Sequence, residues 1–159
     1  MYPRTRPIYY AIALMAIILL TGCETDYYAT FPENHGMAKV SISLDPEYLN
    51  WELKLKNLDM VTMAHIHCLP GNYVGVSFSS TVFNLTAPVK GTAITPDKGN
   101  LCKWLTFKDV KAAIAAGNAY VNVHTYEKPA GATQAPLITV SLVRNDWWER
   151  YWERINDNR

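Results

Sequence analysis

The amino-acid sequence predicts an all-β domain, a sandwich or barrel of short strands. Three observations carry that expectation. Apolar and polar residues alternate at period two in several separate segments, and turn-forming residues divide those segments. A single helical stretch interrupts them, where a parallel sheet would need strand and helix to alternate repeatedly.

Taken in order, residues 24–35 are polar and aromatic without clear periodicity, so 23–36 reads as a tether with little buried. From Met37 the pattern alternates. Val40, Ile42 and Leu44 face one way, and a turn at Asp45 and Pro46 leads to Trp51, Leu53 and Leu55 with Glu52, Lys54 and Lys56 opposite. That is a β-hairpin with one wet face. A third strand over residues 61–68 puts Met63, His65 and His67 on one face and Ala64, Ile66 and Cys68 on the other. Further strands are expected near residues 74–82, 120–125 and 137–143, completing a domain over 37–143. Residues 106–117 are helical in character: Thr106 can cap, Asp109 sits at the third position of a capping box, alanines fill the middle and Gly117 suits a left-handed terminator. In the final segment, 144–159, a 3.6 period gathers Trp147, Trp148, Tyr151, Trp152 and Ile155 on one arc, with Glu149, Arg150, Glu153, Arg154 and Asp157 opposite. This predicts an amphipathic helix over 147–157, packed on the chain's own sandwich in preference to lipid headgroups or a partner.

The N-terminus carries different chemistry. Arg4 and Arg6 precede an apolar run from Ile8 to Leu20, too short to span a bilayer comfortably, and the run ends in Leu20, Thr21, Gly22 and Cys23. An apolar residue, two small residues and a cysteine make a lipobox. Residues 1–22 are therefore expected to be a lipoprotein signal peptide, with Cys23 the lipidated N-terminus. Acyl chains contribute about 0.8 kcal/mol per buried methylene, which keeps such a protein on its membrane. Glu24 stands where Asp would be the usual inner-membrane retention signal, which favours the bacterial outer membrane, on its periplasmic or cell-surface face. The remaining chain is one ordinary domain able to bury a real core. Loss of Arg4 and Arg6 takes the formal charge from +1 to −1, so no basic field exists to attract nucleic acid.

With Cys23 committed to lipid, Cys68 and Cys102 of an exported chain are expected to form a disulfide; a two-thiolate metal site would want closer CxxC spacing. The sequence holds no Gly-rich phosphate loop, serine nucleophile elbow or HExxH helix, which argues against a hydrolase. The triplet Asn84, Leu85, Thr86 matches a glycosylation sequon and reads as a turn.

Two segments carry a resemblance. Thr62, Met63, Ala64, His65, Ile66 and His67 contain A-H-I-H; about fifty residues later, Gly117, Asn118, Ala119, Tyr120, Val121, Asn122, Val123, His124 and Thr125 read G-x-A-Y-V-N-V-H-T. Together they resemble the CHRD domain, named from chordin and widespread in microbial proteins. The resemblance takes in the strand with Trp51 and Leu53, the Asn57 and Leu58 link and the helix before Gly117, over roughly residues 37–143. One departure follows His124. The family usually continues through a proline into G-E-I-R-G-Q, whereas here Pro129, Ala130 and Gly131 lead to Ala132, Thr133 and Gln134, so any role of that Glu and Arg is lost. The resemblance implies the immunoglobulin-like β-sandwich of copper/zinc superoxide dismutase, in agreement with the strand count, here with one short helix inserted and a C-terminal amphipathic helix added.

Period two also places Tyr120, Asn122 and His124 on one side of their strand, so that two neighbouring strands would aim His65, His67 and His124 at one point. Three imidazoles suit copper, with zinc second. Met63, on the same face, and His35, from the tether, are candidate fourth ligands, and Asn122, Thr125 or Thr62 could orient the rings through hydrogen bonds. The competing role is structural, with histidines bonded across the sheet to fix strand register. Three functions stay open: a membrane-anchored, non-catalytic lipoprotein binding a metal ion or an envelope protein through this face; a structural or protein-binding envelope module; and a superoxide-dismutase-like redox enzyme. The last needs a second metal held by further His and Asp residues, and only His35 is unassigned.

Overall fold

The computed structural model of the chain describes residues 24–80, 83 and 87–139. The signal run, Cys23, the sequon at 84–86 and the helix expected over 147–157 lie outside the described residues. Within them the chain forms an all-β sandwich with one short helix, α1 (Phe107–Ala115). The strands are β1 (Thr25–Thr30), β2 (Gly36–Leu44), β3 (Glu47–Leu55), β4 (Val61–Cys68), β5 (Tyr73–Phe78), β6 (Val89–Ala93), β7 (Ala119–Thr125), β8 (Thr133–Pro136) and β9 (Ile138–Thr139). One antiparallel sheet runs β6-β3-β2-β1-β9 and the other β5-β4-β7-β8.

The core fills the space between the sheets with the residues that alternation selects. Val40 and Ile42 of β2 and Leu49, Trp51 and Leu53 of β3 meet Ala64 and Ile66 of β4, Val76 and Phe78 of β5, and Val121 and Val123 of β7. Trp51 and Phe78 stack with ring centroids 4.9 Å apart. Each large apolar side chain so buried contributes about 1.5–3 kcal/mol. Leu44, expected with Val40 and Ile42, sits at the strand end and is exposed. The other face of this hairpin is drier than expected: Lys54 is only 4% exposed, and its Nζ lies 3.6 Å from Glu52 Oε1.

The tether expectation is corrected from Thr25 onward. β1 pairs with β2 from Thr25 against Ile42 to Thr30 against Met37, and Tyr27, Ala29 and Phe31 are buried in the core. Those three residues are a short period-two alternation, and β2 supplies the hydrogen-bonding edge that makes it a strand. A turn at Pro32–Asn34, with positive φ at Glu33 and Asn34, returns the chain so that Phe31 N–H reaches the Gly36 carbonyl at 3.0 Å. Two further expectations shift. The strand near 74–82 is Tyr73–Phe78, and the final stretch begins with β8 before the two-residue β9; neither β6 nor β8 was foreseen.

The helix follows its local signals. Asp109 Oδ2 accepts the backbone N–H groups of Leu105 and Thr106, each at 2.9 Å, satisfying donors that a helix start leaves orphaned. Gly117 takes φ +71°, and Asn118 N–H bonds back to Ala113 O at 2.8 Å, which ends the helix. Phe107, Val110 and Ile114 face the core. The Cys68–Cys102 disulfide, Cα–Cα 5.8 Å, ties the end of β4 to the loop before α1.

Candidate metal centre

β4 and β7 are neighbours, registered with Met63 against His124, His65 against Asn122 and His67 against Tyr120. Since Ala64, Ile66, Val121 and Val123 point into the core, the pleat sends His65, His67, Asn122 and His124 to the opposite face of the sheet. His67 and His124 are each 7% exposed, and His65 is half-buried. One nitrogen from each ring can be chosen so that all three lie within 4.8 Å of one another.

Main-chain carbonyls aim two of these rings. His67 Nδ1 lies 2.9 Å from Asn72 O, at the turn after β4, and His124 Nδ1 lies 2.8 Å from Pro129 O, in the loop after β7. A carbonyl only accepts, so in the neutral rings each Nδ1 carries the hydrogen and each Nε2 presents a lone pair. His65 Nδ1 stands 3.2 Å from His124 Nε2, while His67 Nε2 is buried with no hydrogen-bond partner. Imidazole nitrogens bound at 2.0–2.1 Å to one ion lie roughly 3.3–3.6 Å apart in tetrahedral or trigonal arrangements. The His65 to His124 pair is close to that spacing, and the three imidazoles together could hold a single metal ion.

The electrostatics keep His65 and His67 in the form a metal requires. Burial lowers the His65 pKa to about 4; the His124 and His67 imidazoles push it the same way, and Asp97 opposes them. Burial lowers His67 as well, against the Asn72 carbonyl. Neutral imidazole is the ligating form. Tyr120, whose own pKa is raised by burial, covers His67 with ring centroids 5.2 Å apart.

The expected site residues are distributed unevenly. His65, His67 and His124 come together; Met63 is on the same face, opposite His124 and 46% exposed. His35 is outside the group. It lies in the β1–β2 turn of the other sheet, with its Nε2 3.7 Å from Glu33, because the residues around it are a hairpin rather than a free tether. The expected orienting side chains act elsewhere: Thr125 Oγ1 accepts Lys128 N–H at 3.1 Å, Thr62 Oγ1 reaches the His124 main-chain oxygen at 3.4 Å, and Asn122 Nδ2 reaches Ala130 O at 3.5 Å. The carbonyls of Asn72 and Pro129 hold the rings instead. Backbone acceptors carry no residue signature, so the available signal was the proline following the second motif.

The family comparison agrees with this arrangement. No curated protein and no solved structure matches the chain. The CHRD domain family matches it over residues 20–133, which is most of the chain and includes both histidine strands. The protein belongs to the CHRD domain family.

Proposed function

We propose that this protein is a membrane-anchored, non-catalytic lipoprotein that binds one copper ion, with zinc the second choice, through His65, His67 and His124. The observation that supports the metal is the buried, unpartnered Nε2 of His67 beside two further imidazole nitrogens, with carbonyls fixing the rings from behind. A buried acceptor without a donor costs about 1–3 kcal/mol, and a cation among the three nitrogens relieves that cost. Calorimetric titration of copper and zinc into the metal-stripped protein is the test, run beside His65→Ala and His124→Ala variants checked for folding. Saturable binding lost in both variants is expected; equal binding by the folded variants, or none by the parent, makes the histidines structural.

The anchor rests on Arg4, Arg6, the apolar run and the Leu20 to Cys23 lipobox. In a bacterial host, Cys23→Ser is expected to abolish labelling by radioactive palmitate and to leave the chain uncleaved or soluble. Normal processing and membrane retention in that variant reject the reading. Fractionation then tests the outer-membrane placement suggested by Glu24.

A second reading has one observation in its favour. The 3.2 Å His65 to His124 contact is a hydrogen bond in its own right and needs no ion. On that reading the protein is a structural or protein-binding envelope module, and its stability is independent of metal.

A further inference from the structure

We propose that the loop between β6 and α1, clamped to the β4–β5 turn by the Cys68–Cys102 disulfide, is a docking surface for an anionic lipid bilayer. Leu101 is 65% exposed and Leu105 84%. Leu69 and Tyr73, also exposed, lie across the disulfide, and Leu69, Tyr73 and Leu101 rim one cleft with Cys102. Single exposed leucines are ordinary, but several on adjoining loops form the patch that marks an interaction surface.

Charge selects the partner. Lys98, Lys103 and Lys108, all exposed, interleave with the two leucines along the chain. The carboxylates of the same stretch are occupied by internal donors: Asp97 accepts Ser77 N–H at 3.0 Å and its hydroxyl at 2.6 Å, and Asp109 accepts the N–H groups of Leu105 and Thr106. Glu47 accepts Phe107 N–H, while Asp45 is exposed. Apolar side chains flanked by lysines, whose long stems reach back to the headgroups, match an interface with anionic lipid.

The loop is also stiff. Asn100 Nδ2 donates to Asp97 O and Trp104 O, both at 2.7 Å, and Asn100 Oδ1 accepts Trp104 N–H at 3.0 Å, while Trp104 is buried beneath. Leu101 and Leu105 are thus displayed by a preformed turn that needs little ordering on contact.

Chain continuity places this end of the domain at the membrane. Lys111 Nζ of α1 donates to Thr25 Oγ1 at 2.9 Å, and Thr25 stands two residues after Cys23. Two extended residues span about 7 Å, so a chain anchored at Cys23 has α1 and its preceding loop beside the lipid. This step rests on the anchor reading above. Docking there leaves His67 beside Cys68 near the docked end, with His65 three residues from Cys68 along β4, roughly 10 Å away.

The test uses the full chain floated with phosphatidylglycerol or phosphatidylcholine vesicles, followed by acylation with a water-soluble amine reagent and mass spectrometry. On phosphatidylglycerol, Lys98, Lys103 and Lys108 are expected to react about tenfold more slowly than on phosphatidylcholine, while Lys90 and Lys128 are unchanged. The paired Leu101→Asp and Leu105→Asp variant, checked by its melting curve, should lose that protection; should it fail to fold, Lys98→Gln with Lys103→Gln must lose the protection of Lys108. A chain that floats with all five lysines equally reactive keeps the anchor and overturns the docking surface. A chain that does not float overturns both. Equal protection without vesicles assigns the patch to a second copy of the chain and overturns lipid docking.

Discussion

His65 Nδ1 and His124 Nε2 lie 3.2 Å apart although the two residues are not cross-strand partners, His124 standing opposite Met63 and His65 opposite Asn122. The contact is diagonal. Diagonal neighbours in an antiparallel pair are about 7–8 Å apart at the backbone, a gap that two imidazoles close from either side. The third ring, His67, is one pleat further along β4, and the three nitrogens converge because the Asn72 and Pro129 carbonyls turn His67 and His124 inward.

Acid should destabilise the metal-free protein well above the carboxylate range. Burial, then the neighbouring imidazoles, lowers the folded-state pKa of His65 to about 4 from its ordinary 6.5, and burial lowers His67. Between those values the unfolded chain binds more protons than the folded one, so the contribution is fully favourable above about 6.5 and is lost as pH falls toward 4. Denaturant unfolding in chelator at pH 7, 6 and 5 should show falling stability, with a shallower fall in His65→Gln. A flat profile over that range contradicts the burial of these rings.

Gly131→Ala should weaken metal binding without touching a ligand. Gly131 has φ +134°, and a Cβ there would stand 2.6 Å from Asn122 Oδ1, so both the backbone and Asn122 must move. The same loop carries Pro129 O, which orients His124. Loss of such an outer partner costs roughly 10–100-fold in metal affinity. Calorimetry on the folded variant checks this, and parental affinity would show that the loop does not set the ring's position.

Phe31→Ala should cost about 3–5 kcal/mol of unfolding free energy, as for a phenylalanine in a packed core. Phe31 is buried at the end of β1 among core residues. Were residues 24–35 a solvated tether, the substitution would change the denaturation midpoint hardly at all.

Replacing Cys68 and Cys102 together by alanine should lower stability by about 3–4 kcal/mol on the chain-entropy account, given a sequence separation of 34. The unreduced, denatured parent should show no thiol at either position on labelling. Labelling at both would remove the bridge.

Period-two alternation determined by itself that this chain is all-β, and it also determined which face of β4 and of β7 carries histidine, because a strand's side chains alternate whatever lies around it. The capping Asp109 and terminating Gly117 likewise marked α1, since both act within a few residues of themselves. Tertiary structure decided the rest. β1 is a strand only because β2 lies beside it: six residues with two buried apolar positions cannot hold themselves extended, and their backbone groups need the partner's edge. That pairing also removed His35 from the candidate ligands. The convergence of His65 and His67 with His124, nearly sixty residues apart in sequence, depended on β4 and β7 being neighbours in a particular register, and a slip of one residue would have turned one set of rings into the core. The atoms that aim two of those rings belong to the backbone of Asn72 and Pro129, and only the path of the folded chain brings them there.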